Sequence, residues 1–414
     1  MTAAGILAGE QLLARFHALD RFLLQHQALW RPRPFMQLQL PWEREHPQLA
    51  DWLRGRSVEQ ADQAQQQPYA LAAPAPYPQL ATAAAQLAEV GPLSTTPLHP
   101  AAQRLDVDVP GRKWQQIEAF GSCLHVADPT RHWLDWCAGK GHLGRRLLAP
   151  GQRLTCLEHD PALVASGQAL SQHHQLDATH VQQDVMAAAL QLDPSHTPVA
   201  LHACGDLHVR LIQLASAAGC THLAIAPCCY NRIASPHYQP LSQPARASLL
   251  TLDLHDLSLP ATETVTAGAR VRRQRDQSMA RRLAFDLLQR QLRSCDQYLP
   301  TPSLPSLWLD KPFADYCRHL AALKDLPPPG QQDWAALEQA GIKRLAQVRN
   351  LELLRNLFRR PLELWLALDR GLMLQENGYD VELGTFCPIT LTPRNLMLRA
   401  NRQPVDNSVG SSPA

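Results

Sequence analysis

The chain has 414 residues, 45% of them hydrophobic, with 39 lysines and arginines against 37 aspartates and glutamates and a formal net charge of +2. That length supports one large domain or two to three smaller ones with a sizeable core. The near-balance of charge excludes a partner selected by global electrostatics. Ten cysteines are spread along the chain with no compact disulfide framework, and Cys228-Cys229 and the cysteines in apolar runs read as reduced thiols of a cytosolic protein. Met1-Thr2-Ala3-Ala4-Gly5 is not a basic region followed by a long apolar run, and no stretch approaches a membrane span, so a cytoplasmic protein without a membrane partner is expected.

Residues 8–29 predict an amphipathic helix, with Leu12, Leu13, Phe16, Leu19, Phe22 and Leu23 on helical spacing. Trp30-Arg31-Pro32-Arg33-Pro34-Phe35 ends it, and Trp42 and Trp52 suggest a small aromatic cluster, so 1–57 reads as an N-terminal helical region. Residues 58–105 turn to Ala, Gln and Pro and read as a helix-containing linker or a loosely packed region rather than a core. Residues 106–231 then change character. A helix from Gly111 leads into strands expected at 133–137, 153–157, near His180-Val181, 199–204 and 222–226, each ending in polar residues, with a helix over Val164–Ser171 between them. Strands alternating with helices specify a parallel doubly wound sheet whose site lies at the carboxyl ends.

Residues 232–361 break the rhythm as a helical, Arg-rich insertion with Pro-rich interruptions at 300–305 and 327–329. The core resumes over 362–402, with a helix through Leu362, Trp365 and Leu372 and strands at 379–386 and 389–399 joined around Pro388; 403–414 reads as a disordered tail. The expected fold is α/β: a Rossmann-like, doubly wound, mostly parallel seven-stranded sheet with a C-terminal antiparallel hairpin, plus the helical N-terminal region and insertion.

The most informative stretch is Leu134-Asp135-Trp136-Cys137-Ala138-Gly139-Lys140-Gly141-His142-Leu143-Gly144. A strand, a tight turn and a helix N-terminus let backbone N–H groups face a bound cofactor. Gly139, Gly141 and Gly144 spell the dinucleotide pattern G-x-G-x-x-G, with Glu158 near the expected distance downstream. Asp135, however, ends the strand before the glycines. A carboxylate there repels a pyrophosphate and attracts the sulfonium and ammonium of S-adenosyl-L-methionine (SAM), which is therefore the expected cofactor. The literal dinucleotide match keeps an NAD(P)-dependent oxidoreductase as the alternative, and a glycine turn without ligand is the third reading.

These motifs resemble those of the class I SAM-dependent methyltransferases. The nearest resemblance is to a methyltransferase-like subgroup that includes the ribosomal RNA adenine dimethylase domain-containing proteins. It rests on Asp135 to Gly144, His202-Ala203-Cys204-Gly205-Asp206-Leu207, Pro227-Cys228-Cys229-Tyr230 and Thr392-Pro393-Arg394-Asn395, and spans roughly 110–400. The resemblance implies that Asp135, Gly139 and Gly141 form the methionine side of the pocket, joined by Cys137, Ala138 and His142. Glu158, with His159 beside it, would take the ribose hydroxyls. Asp184 and Val185 would border the adenine, and His202 and Ala203 would line the floor under the methyl group. Cys137 stands where the wider class has its first glycine.

On the acceptor side, the family pattern brings residues from the ends of the fourth and fifth core strands. His202 to Asp206 lacks the Asn/Asp-Pro-Pro-aromatic run of many amino-methylating nucleic-acid enzymes. Cys204 with Cys228 or Cys229 offers the two-thiol arrangement of enzymes that make 5-methylcytosine in RNA. The same cysteines also read as packing or, with His202, as metal ligands, although no C-x-x-C spacing supports zinc and no metal is expected. Asp206 reads as an acceptor-side base or a helix cap, and Tyr230 and Asn231 as further acceptor-side groups. Arg270 to Arg275, Arg281, Arg282, Arg355, Arg359 and Arg360 read as a phosphate-tracking face or a solvated helix face. Trp30, Trp42 and Trp52 read as stacking surfaces or core. The expected function is transfer of a methyl group from SAM to a macromolecular acceptor (EC 2.1.1.-), RNA before protein. The remaining alternative is a non-catalytic SAM-binding assembly module.

Overall fold

In the computed structural model, which describes residues 5–101, 103–124, 131–262 and 269–402, the apolar runs become strands. They are β1 (Leu7–Ala8), β2 (His132–Trp136), β3 (Arg153–Glu158), β4 (Ala178–Gln182), β5 (His196–Cys204), β6 (His222–Cys228), β7 (Tyr379–Thr385) and β8 (Leu396–Arg402). All lie in one sheet, in the order β1-β7-β8-β6-β5-β2-β3-β4. The neighbours from β6 through β4 pair in parallel, while β8 runs antiparallel to both β6 and β7. Chain order reverses direction across the sheet between β2 and β5. That reversal opens a crevice at the carboxyl ends of the strands, where an open α/β sheet binds its ligand.

Two expectations about the sheet need correction. It has eight strands among the described residues rather than seven, because Leu7 and Ala8 pair antiparallel with Leu383 and Glu382 at the edge. Two residues carry no alternation to read, and in the sequence they merge into the following helix. The last strand is Leu396–Arg402, not 389–399. Pro388 and Pro393 cannot donate to a ladder, and the connection is instead closed by Phe386 N–H to Asn395 O (2.9 Å) and by Asn395 Nδ2 to Cys387 O (2.8 Å).

The sheet is held by apolar packing on its faces. Ile117 and Phe120 of the Gly111–Ser122 helix and Leu143 and Leu147 of the His142–Leu147 helix pack with Trp133, Leu154, Cys156, Val199 and Met397. Fully burying each large apolar side chain is worth about 1.5–3 kcal/mol. The Arg359–Glu376 helix is buried on nearly every side from Pro361 to Leu372, as expected of a helix enclosed by a core. Phe16 of the Glu10–Gln25 helix stacks near Trp365 (ring centroids 5.1 Å apart), and Asp20 Oδ1 accepts from Trp365 Nε1 (3.0 Å).

The described residues fall into two compact units. The first comprises Met1–Leu24, Leu87–Ala261 and Pro361–Ala414; the second comprises Gln25–Gln86 and Thr262–Arg360. These limits differ from the expected segments: the first helix goes with the sheet, and 25–86 goes with the Arg-rich region. In the second unit the Ala- and Gln-rich stretch is ordered and packed, with Ala61, Ala64, Leu80, Ala81 and Ala84 buried. Ser57 and Gln60 cap the Val58–Gln66 helix reciprocally. Composition suggested looseness; small side chains in fact permit close helix packing. The expected tail at 403–414 lies outside the described residues.

The second unit also consumes many of its arginines. Arg344 and Arg290 both pair with buried Asp286 (2.6 and 3.1 Å), Arg281 pairs with Glu338, Arg282 donates to Thr301 O, and Arg355 donates to Trp30 O (2.8 Å). Arg270, Arg272 and Arg273 remain exposed. Trp30 and Trp42 are core, while Trp52 stacks with Arg56 (4.3 Å). No helix among the described residues is long and apolar enough to cross a membrane.

Candidate active site

The strand, turn and helix at 132–147 form as the sequence requires. Cys137, Gly139 and Gly141 all adopt positive φ (53°, 57° and 73°), and the helix starts directly at His142. A Cβ on Gly141 would meet His180 Cε1 at 2.5 Å and Cys156 Sγ at 2.9 Å, whereas one on Gly139 would meet nothing within 4 Å. Gly141 is therefore fixed by packing, and Gly139 leaves open space above the turn. A Cβ on Gly144 would lie 2.5 Å from Leu154 Cδ1, so its hydrogen lets the helix sit directly on β3.

Two carboxylates bracket this turn from adjacent strand ends. Asp135 is 2% exposed, and its Oδ2 accepts from Gly144 N (2.9 Å) at the helix N-terminus. Burial pushes its carboxyl up to about 6, against the pull of the Gly144 N–H, Arg145 and Lys113, while Glu158 adds to the rise. Glu158 Oε2 accepts from Gly139 N (2.8 Å), and its Oε1 accepts from His159 N (2.9 Å) and Asp160 N (3.1 Å). Oε2 keeps acceptor capacity for a hydroxyl. His142 is buried, its Nδ1 accepts from Arg145 (3.1 Å), and burial beside that cation lowers its pKa to about 4, which leaves a neutral ring. Burial also raises the half-buried Cys137 thiol to about 12. His159 is exposed; past β4, Asp184 is exposed with Oδ1 accepting from Met186 N (2.9 Å), and Val185 is buried.

At the ends of β5 and β6 the backbone departs from regular strand. The β5–β6 register shifts between Leu201 and Cys204, His202 has φ 65°, and Cys204 then sits opposite Cys228. His202 Nε2 donates to Gln116 Oε1 (2.6 Å), and burial, with Arg394 and Lys113, lowers its pKa. Cys204 Sγ is 3.4 Å from Cys228 Sγ, and the sulfurs of Cys204, Cys228 and Cys229 all lie within 4.8 Å of one another. The hydrogen bond from Cys228, with help from Cys229 and Arg232, brings the Cys204 thiol down to about 6 against burial; the same hydrogen bond and burial push Cys228 up.

Asp206 caps no helix. Gly205 is the residue at the N-cap, and Asp206 Oδ2 accepts from Ala234 N (2.8 Å), which ties the loop after β6 to the Asp206–Ala218 helix. Tyr230 is buried, with the Arg370 guanidinium 4.8 Å from its ring centroid. Ala203 is buried, and its carbonyl accepts from Cys228 Sγ (3.8 Å).

Behind this strand end lies a buried polar network absent from the sequence expectations. Arg370 donates from Nε to His208 Nε2 (2.6 Å) and from Nη1 to the Tyr238 hydroxyl (3.1 Å). Tyr238 donates to Asp369 Oδ2 (2.5 Å), which also accepts from Leu241 N (2.9 Å); Ser242 donates from N and Oγ to Oδ1 (2.7 and 2.6 Å). Because His208 Nε2 is an acceptor, its Nδ1 carries the proton given to Ala203 O (3.0 Å). Burial and Arg370 keep that ring neutral. The network thus fixes the carbonyl between His202 and Cys204. Its one visible trace in the sequence is Asp369-Arg370 inside the otherwise apolar run 364–374.

Residues 112–236 match the family described as a methyltransferase domain. That match covers less than half of the chain, and the cofactor it points to is S-adenosyl-L-methionine. The span contains Asp135, the glycine turn, Glu158, Asp184 and all three clustered thiols. Solved structures similar to the chain include a putative sarcosine dimethylglycine methyltransferase from Galdieria sulphuraria, at 20% identity and TM-score 0.25 over 30% of this chain and 52% of that one. Another is the 23S rRNA methyltransferase ErmE, at 15% identity and TM-score 0.25 over 58% and 97%. A third is an O-methyltransferase from a trans-AT PKS multienzyme of Brevibacillus brevis in complex with S-adenosyl-L-homocysteine, at 16% identity and TM-score 0.23 over 33% and 51%. The chain spans about half the length of two of these structures, the Galdieria sulphuraria and Brevibacillus brevis proteins. Superpositions at such scores carry no functional argument; the domain match and the site's own chemistry do. The residues present fit the cofactor: two carboxylates suit its cationic end and its ribose hydroxyls, and the space over Gly139 admits a ligand.

Proposed function

We propose that the chain is a SAM-dependent methyltransferase of class I that transfers a methyl group to a macromolecular acceptor, RNA before protein. The observation that carries this reading is the pair of carboxylates, Asp135 and Glu158, closing on one glycine turn inside a matched methyltransferase domain. A pyrophosphate on this turn would meet the negative charge of Asp135, which weighs against the NAD(P) alternative. The motifs at 202–207 and 227–230 support the narrower methyltransferase-like subgroup.

When bound, SAM supplies a methyl group on a sulfonium. Asp135, Cys137, Ala138, Gly139, Gly141 and His142 would hold its methionine end, Glu158 and His159 its ribose, and Asp184 and Val185 its adenine. His202 and Ala203 would floor the reacting end. Cys204, Asp206, Cys228, Cys229 and Tyr230 would face the acceptor. Alignment supplies most of the rate in such a transfer, and the Arg370–His208–Ala203 chain of hydrogen bonds makes the floor rigid. The preference for RNA is supported by the exposed Arg270, Arg272 and Arg273.

The test is calorimetry with SAM, S-adenosylhomocysteine and NAD, followed by incubation of methyl-labelled SAM with RNA and protein fractions. SAM binding with label in RNA is expected. NAD binding without SAM binding overturns the cofactor; SAM binding with label in neither fraction leaves a non-catalytic binding module.

A further inference from the structure

We propose that Cys204, Cys228 and Cys229 form a binding site for a thiophilic d10 cation, Zn2+, at the carboxyl ends of β5 and β6. The proposal goes beyond methyl transfer and needs none of it to be tested. Three sulfurs within 4.8 Å of one another, two of them 3.4 Å apart, match what a zinc ion gathers. Thiolates at about 2.3 Å from a tetrahedral ion lie roughly 3.8 Å from each other.

The convergence is not what regular strands deliver. Successive side chains on a strand point to opposite faces, so Cys228 and Cys229 would diverge if β6 simply continued. It stops at Cys228, and Cys229 takes φ 44°, which swings its thiol toward the others. On β5, the register shift after Leu201 and the φ of 65° at His202 set Cys204 opposite Cys228. Strained non-glycine residues persist where surrounding structure demands them, and they cluster at sites.

The surrounding loop fixes this arrangement. Gly205 N donates to Cys228 O (3.4 Å), Asp206 N to Arg232 O (3.0 Å) and Arg232 N to Cys229 O (2.9 Å). A Cβ on Gly205, at φ 53°, would overlap the Arg232 carbonyl, so only glycine closes the loop here. Three thiolates around a divalent ion carry one net negative charge. Arg232 and Arg394 lie near enough to favour ionised Cys204 and Cys229, respectively. An all-sulfur donor set selects a soft ion over Mg2+ or Ca2+.

His202 is not among the clustered ligand atoms, and its Nε2 donates to Gln116. Three protein ligands leave the fourth position to water or an acceptor group, as in catalytic rather than structural zinc sites. Binding converts thiols to thiolates and releases up to three protons to solvent, so affinity rises with pH.

The experiment uses the full chain, reduced and stripped with a chelator, and titrated anaerobically with Co2+. One equivalent is expected to give a near-ultraviolet thiolate-to-cobalt charge-transfer band and the visible bands of a tetrahedral ion, both bleached by one equivalent of Zn2+. Cys204→Ser and Cys229→Ser should each weaken binding at least tenfold, while Cys295→Ser, in the second unit, should not. Circular dichroism confirms folding of each variant, and half-buried Cys229 carries the test if Cys204→Ser fails to fold. No charge-transfer band in the parent chain, or an undiminished band in Cys229→Ser, overturns the site. SAM calorimetry on the same samples reads the methyltransferase proposal separately.

Discussion

The carboxyl edge of the sheet is built from two chemistries. Near the ends of β2 and β3, Asp135 and Glu158 accept from backbone amides of the glycine turn and the helix that follows it. At β5 and β6, the strands end in thiols brought together by positive-φ residues and backed by a buried Arg–His–Tyr–Asp network. The first half is assembled from neighbours in sequence or from one strand pairing. The second needs a register shift, a chain reversal and a helix from the far end of the chain. One region is a local motif; the other is a product of the fold.

The largest effect expected from separating these halves comes from Arg370. Arg370→Met removes the donors to His208 and Tyr238 and leaves Tyr238 bonded to buried Asp369 with no cation beside it. Breaking a buried charged network from one side costs about 3–5 kcal/mol, to be read by urea unfolding. If the network serves the thiol half, cobalt binding in the folded variant should weaken while SAM affinity stays. Equal loss of both would mean the two halves are mechanically one.

Next in size is the cofactor half. Asp135→Asn keeps an acceptor for Gly144 N but removes the charge, and a charge-assisted hydrogen bond is worth about 1.5–3 kcal/mol. SAM affinity should fall roughly 10- to 100-fold by that arithmetic, measured by calorimetry, with no change in NAD binding. An unchanged affinity would remove the basis on which the cofactor was read. Glu158→Gln should cost less, because the amide still accepts from the turn.

The pH dependence follows from the same residue. Asp135 titrates near 6 because burial disfavours its anion. A cationic ligand needs that anion, so SAM affinity should hold above the pKa and fall as pH drops through it, and Asp135→Asn should abolish this fall. In the free protein the sign is opposite: a carboxyl whose folded pKa is raised adds stability at low pH that is lost as pH rises through about 6.

How much was legible in the sequence divides along the same line. The alternation of strands and helices gave the parallel core, since period and turn chemistry are local. Asp135, the glycines and Glu158 were legible because their spacing is the motif. The eighth strand was not, being too short for a pattern, and the Ala- and Gln-rich stretch was misread because composition says little about helix packing. Arg281, Arg282 and Arg355 read as surface charge, yet their partners lie far off in the chain, at Glu338, Thr301 and Trp30. The thiols were visible as candidates, but their meeting point depended on Cys204 facing Cys228 across a shifted register.

The smallest expected effect is the most diagnostic for that second half. Cys229 is half-buried at a strand end and forms no part of the glycine turn. Cys229→Ala removes one sulfur away from the glycine turn, so SAM affinity should change by less than about twofold, within the ±0.5 kcal/mol usual for such sites. Methylation of an identified acceptor should nevertheless drop if the thiols face it. Retained methylation in both Cys229→Ala and Cys228→Ala would exclude those two thiols from the chemistry. A fall in SAM affinity comparable to that of Asp135→Asn would instead place the cofactor across both halves, and the division between carboxylate and thiol ends would fail.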